Sequence, residues 1–178
     1  MPYLTAAVIV LGVLCGLNLM LTLAVIRRLK EHTRKLAELS GGGGGRLPAV
    51  GSAVGHFDAL TVDGEAVSRH ALEPGTVVGF FSPGCEPCRK SLPEFTEYAR
   101  ALPGGRNRVL AVVTGTDDSG DMTGALARVA RVVAEGHGGP VTTAFGVGAF
   151  PTFCLLDDGH TVAAAGFELS ALPDPIVA

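Results

Sequence analysis

The sequence runs to 178 residues with a formal net charge of −3, and that charge is unevenly placed. Residues 27–40 carry five basic side chains against Glu31 and Glu38, net +3, whereas residues 46–178 carry nine basic and fifteen acidic ones, net −6. An acidic domain is a poor partner for nucleic acid, and four cysteines with a single C-x-x-C spacing and five scattered histidines leave a structural zinc site without its second ligand pair.

From Leu4 to Ile26 the chain reads "LTAAVIVLGVLCGLNLMLTLAVI", twenty-three residues without a charge, which predicts one transmembrane helix over residues 4–26 and contact with membrane lipid. The opening "MPY" has no basic stretch and no small-x-small cleavage pattern precedes "RRLK", so the reading is a permanent anchor rather than a cleaved signal peptide. Cys15 and Asn18 read as tolerated occupants of that helix. Residues 27–54 follow as a basic juxtamembrane segment, five consecutive glycines at 41–45 and a tail of small residues. Such chain is a flexible tether, and about fifteen residues of it reach only ~20 Å. The remaining stretch, residues 55–178, is long enough for one ordinary domain with its own core.

Within it, short apolar runs alternate with helical patterns. "TVVGFF" (76–81), "RVLAVVT" (108–114) and "ARVVAE" (130–135) read as strands, and "TFCLLDDGHTVAAAGF" (152–167) as a hairpin turning at Asp157, Asp158 and Gly159. After Cys88, the residues Leu92, Phe95, Ala99 and Leu102 recur at three- and four-residue spacing until "PGG" stops a helix. Shorter helices are expected over 121–128 and 139–146. Strand, helix, strand, helix and then a hairpin argue a mixed α/β sheet with helices on its faces.

The stretch "FFSPGCEPCRKSLPEF" places Cys85 just after a buried strand and Cys88 in the first turn of the next helix. Unpaired backbone N–H groups and the positive end of the helix dipole then face the first sulfur, an arrangement that favours the attacking thiolate. Sulfurs at i and i+3 can close a disulfide with little movement, so Cys88 can resolve a mixed disulfide formed on Cys85. Pro87 suits an early helical position, where a missing N–H costs nothing.

"VVGFFSPGCEPCRKSLPEF" resembles the active-site strand, loop and helix of thioredoxin-like proteins, and is similar to the membrane-anchored thiol-disulfide oxidoreductases of the TlpA/ResA type. Pro93 stands where that family kinks its active-site helix. "GHFDALTVDGEAVS" resembles its leading hairpin, and "GVGAFPTFCLLDDG" its cis-proline segment, 66 residues after Cys85. The resemblance implies a thioredoxin-like α/β domain, a cis bond at Phe150-Pro151, and contact between Phe150, Pro151 and the incoming partner peptide. It further implies a redox-active pair, Cys85 and Cys88, that needs no cofactor and no metal.

Three positions depart from the family pattern. Gly84 replaces an aromatic residue before the first cysteine, Gly79 stands where thioredoxins carry a buried Asp, and Ser91 replaces an acid. Glu86 is the nearest remaining carboxylate, a candidate for proton transfer set against the reading of a solvated loop glutamate. Cys154 reads as a buried packing residue rather than a third redox thiol.

The expected function is a thiol-disulfide oxidoreductase acting on protein dithiols or disulfides near the membrane, in the direction of disulfide reduction and fed by a membrane thiol relay. A peroxiredoxin-like peroxidase is the alternative, weakened because Val78 occupies the proline position of Pro-x-x-x-Thr/Ser-x-x-Cys. A non-catalytic binding module would need neither sulfur. The side of the membrane draws opposed readings: the basic flank after the span argues for a cytoplasmic domain, whereas the resemblance implies an extracytoplasmic one, where disulfides persist. The extracytoplasmic placement is the one adopted.

Overall fold

The computed structural model describes residues 46–115 and 120–173, together with Gly12, Leu14, Cys15, Gly16, Asn18 and Met20, which are helical and exposed. Met1–Gly44 and Gly45–Ala178 form two separate compact units. Among the described residues no helix is long and apolar enough to cross a membrane; the expected span over 4–26 and the basic segment after it lie, those six positions apart, outside the described residues.

The second unit is built on a five-stranded sheet. A short hairpin, β1 (Asp58–Leu60) and β2 (Ala66–Ser68), precedes β3 (Val77–Phe81); then follow α1 (Glu86–Ala101), β4 (Val109–Thr114), α2 (Gly120–Ala127), β5 (Arg131–Glu135), α3 (Pro140–Phe145), β6 (Thr152–Leu156) and β7 (Val162–Gly166). The sheet order is β5-β4-β3-β6-β7. β3, β4 and β5 run parallel, while β6 and β7 are antiparallel to their neighbours. This is the thioredoxin-like mixed sheet flanked by helices.

Every residue of β3 and β4 is buried, as expected for strands covered on both faces, and their alternation divides the core in two. Val77, Phe81, Val109, Ala111, Val113 and Phe153 point to the face covered by α1 and α2. Val78, Phe80, Leu110, Val112, Cys154 and Leu156 point to the other face, covered by α3 and the segment leading into the β1–β2 hairpin. The rings of Phe81, Phe95 and Phe153 meet under α1 with centroids 5.1 to 5.7 Å apart, a packing that adds to their area burial.

One expected boundary moves. The small-residue tail up to Val54 belongs to the fold rather than to the tether. The Gly51 and Val54 N–H groups donate to the Val162 and His160 carbonyls at 2.8 and 3.0 Å, and Val162 N–H donates back to Ser52 at 3.0 Å. Arg46 is held as well, its carbonyl accepting Gly148 N–H at 3.0 Å. These are backbone bonds, and those of Gly51, Ser52 and Val54 pair the tail with the β6–β7 hairpin.

Candidate functional site

The site forms where β3 ends and α1 begins. Cys85 is the N-cap of α1 with extended backbone angles (φ −91°, ψ 114°), and its Sγ accepts the Cys88 N–H at 3.2 Å. The sulfur thereby takes the role that a Ser or Asp oxygen has at other helix starts. Pro87 lies within the first turn, where the absent N–H is one of those the helix leaves unpaired anyway. Pro93 lies further inside the helix and withholds the N–H that would otherwise bond the Arg89 carbonyl.

The two thiols differ in access. Cys85 is half-buried at the surface, and Cys88 beneath it is fully buried. Burial pushes the Cys88 thiol up to about 12, reinforced by its hydrogen bond and charge interaction with Cys85 and opposed by the Ser82 N–H, which points at its Sγ from 3.5 Å. Among the described residues, the groups acting on the Cys88 proton are Cys85 and the backbone of Ser82 and Cys88, and no carboxylate is among them.

Facing the pair is the loop before β6. The Phe150-Pro151 bond is cis, at the position the family resemblance implies, and the Phe150 carbonyl accepts from the Cys85 thiol at 3.5 Å. Thr152 closes this loop by donating its hydroxyl to the Ala149 carbonyl at 2.8 Å. Residues 65 apart in sequence are thus brought into hydrogen-bond range.

The departures noted in the sequence have physical counterparts. A Cβ at Gly79 would sit 2.8 Å from both the Phe81 and Phe95 rings; the volume that would house a buried acid is filled by aromatic carbon. Gly84 is exposed, and a Cβ there would meet nothing within 4 Å, so the outer side of Cys85 is left uncovered. Ser91 donates its hydroxyl to the Cys88 carbonyl at 3.2 Å, a bond within the helix. Glu86 opens α1, and its carboxylate pairs with Lys90 at 2.8 Å on the solvent side. Cys154 lies at 0% exposure on β6, opposite Val78, in the core on the other face of the sheet from Cys88.

Beside Cys85 runs a groove of about 700 Å³. Its walls are one face of α1 and the segment 167–170 that follows β7, and Phe150 and Pro151 lie between them. The sequence reading did not find the 167–170 wall, because only the return of the β6–β7 hairpin brings it beside α1.

A family model described as Redoxin matches residues 44–170. The chain belongs to the Redoxin family. Its fold is similar to the thioredoxin domain of a thiol-disulfide oxidoreductase from Bacteroides vulgatus, at 18% identity over 72% of this chain and 93% of that one, with a TM-score of 0.52. It is similar too to a thiol:disulfide interchange protein from Bacteroides sp. (19% identity, 72% and 85% covered, TM-score 0.53). A third likeness is to a secreted disulfide oxidoreductase of Mycobacterium tuberculosis (20% identity, 66% and 87% covered, TM-score 0.51). No curated protein matches the chain significantly.

Proposed function

We propose that this Redoxin-family chain is a thiol-disulfide oxidoreductase that reduces disulfides in partner proteins through Cys85 and Cys88. The observation that carries the reading is the stacking of the two sulfurs: a reachable Cys85 capping the helix, and a buried Cys88 whose backbone N–H holds it at 3.2 Å. The printed descriptions of the structural neighbours, thiol-disulfide oxidoreductases among them, support it.

The chemistry balances as two exchanges. The Cys85 thiolate attacks one sulfur of the partner disulfide, forming a Cys85–partner disulfide and releasing the partner's other sulfur as a thiolate, which takes up a proton. Cys88 then gives up its proton, and its sulfur attacks Cys85 Sγ. The Cys85–Cys88 disulfide forms, the partner leaves as a dithiol, and two electrons have passed to it. Return to the starting state requires a dithiol donor, proposed to be a membrane thiol relay. The apolar run at 4–26 supports a single-pass anchor, and the domain is proposed to face the extracytoplasmic side, where disulfides form.

A peroxidase reading finds less support. Val78 lies in the middle of β3, paired with Leu110 on one side and Cys154 on the other, and a central strand is a poor place for the proline that reading requires.

Single-cysteine variants test the proposal. Cys88→Ser is expected to accumulate mixed disulfides through Cys85, whereas Cys85→Ser abolishes reduction of a model disulfide protein; greater alkylation of Cys88 than of Cys85 in the reduced protein would reverse the assigned roles. Rapid consumption of hydrogen peroxide would favour the peroxidase instead. In intact cells, a thiol reagent that cannot cross the cytoplasmic membrane labels Cys85 if the domain lies outside, and labels it only after lysis if the basic flank has kept the domain in the cytoplasm.

A further inference from the structure

The groove beside Cys85 carries charge as well as apolar surface. On the α1 wall, Lys90, Ser91 and Glu94 line it, consistent with the three- and four-residue spacing that aligns one helix face. On the opposite wall stand Phe167, 43% exposed, and Glu168. Among the described residues on these walls Lys90 is the one cation, and its Nζ pairs with Glu86 at 2.8 Å on the solvent side. Glu168 accepts only a long bond from the Ser170 hydroxyl, at 3.4 Å. Among the described residues lining the groove, the two carboxylates of Glu94 and Glu168 thus outweigh the paired Lys90, with exposed aromatic surface between them and the cis-proline loop.

We propose that this groove selects disulfide partners that carry, before or after the cysteine, an apolar residue about two positions away and a basic one about four positions away. The inference rests on the oxidoreductase reading of Cys85 and names the partner class it serves. Phe150 and Phe167 receive the apolar side chain, and Glu94 and Glu168 receive the lysine or arginine. The spacing follows from the helix. Glu94 lies nine residues beyond Cys85, roughly 13 Å along α1 at 1.5 Å per residue, a distance that an extended partner chain covers in about four residues. Charge opposition at the rim of an open groove acts mainly on encounter rate and partner choice.

The test uses the reduced full-length chain and two peptides, each presented as a mixed disulfide with a chromogenic aromatic thiol. Both have a central cysteine with phenylalanine two positions away on each side; one has arginine and the other glutamate four positions away on each side. The arginine peptide is expected to react about fivefold faster at low ionic strength, with the advantage shrinking as salt screens the pair. Glu94→Lys combined with Glu168→Lys is expected to invert the preference. The reversal of Glu97 and Asp158, two acids off the groove, is expected to keep it, which separates the groove from the field of an acidic domain. Equal rates for the two peptides, or a preference that follows net charge wherever the reversal is made, would overturn the groove proposal and leave the redox reading standing. If neither peptide reacted, or if Cys85→Ser reacted as fast as its parent, the redox reading would fall and this proposal with it.

Discussion

Cys88 and Cys154 are both fully buried, and both thiols are pushed up to about 12, yet they belong to opposite faces of one sheet. On the Cys154 face the cause is desolvation by burial alone. The sulfur lies among Val78, Leu156 and their neighbours with nothing to exchange with. On the Cys88 face, burial is the largest cause again, but Cys85 and the Ser82 N–H act on the same sulfur. Burial by itself makes a thiol inert. What separates the packing cysteine from the proposed resolving one is a second sulfur at the mouth of the site.

The larger difference between the two faces lies at Gly79, on the Cys88 side. The space its side chain would take is occupied by Phe81 and Phe95, both at 0% exposure, Phe95 stacked on Phe153 and Phe81 meeting it edge-on. Gly79→Asp would drive a carboxylate into that ring cluster, and overpacking together with an unpartnered buried polar group is expected to cost about 3 kcal/mol or more. Urea denaturation measures it through a lowered midpoint. A loss under about 1 kcal/mol would mean that the rings yield, and that packing is not what keeps an acid away from Cys88.

The same absence has a kinetic consequence. With no carboxylate among the described residues acting on the Cys88 proton, attack on the mixed disulfide is expected to draw on the small fraction of Cys88 that is ionised. That fraction rises about tenfold per pH unit well below the pKa. Rapid-quench measurement of the resolving step is expected to show this slope from pH 6 to pH 9. A rate that levels off near neutral pH would reveal a proton acceptor supplied by the partner or by residues elsewhere in the chain.

Much of this arrangement was legible in the residues, for reasons that can be named. The strand, helix and hairpin runs each declare a period of their own, and the C-x-x-C and Phe150-Pro151 positions stand out by residue type. The attachment of residues 46–54 was not legible, because it is made through backbone groups and "PAVGSAV" carries no alternation to announce a partner strand. Gly79 was visible as a departure, but its reason was not: the Phe95 ring that fills the space comes from α1, sixteen residues on. Glu86 stood out as the nearest acid to the cysteines, yet proximity in sequence did not reveal that its carboxylate turns outward to Lys90. The Phe167–Ser170 wall was hidden for the same kind of reason, since its closeness to α1 is a product of topology.

The smallest effect is the most direct probe of the Cys154 face. Cys154→Ala removes one buried sulfur and leaves a small cavity, so at neutral pH it is expected to cost about 1–2 kcal/mol while leaving disulfide exchange within about twofold of the parent. The sign of its pH dependence follows from linkage. The Cys154 thiol is raised from 9.0 to about 12, so between those values the folded parent retains a proton that its unfolded chain has released. The parent's stability from this group is thus complete below pH 9 and is lost as the pH climbs toward 12. The alanine variant has no such proton to hold, and its deficit against the parent should shrink steadily over that range. Paired urea titrations of parent and variant at pH 7, 9 and 10.5 would measure the change. A constant deficit would mean that Cys154 ionises as readily folded as unfolded, and a loss of exchange at unchanged stability would make it a third redox thiol despite its place on the far side of the sheet.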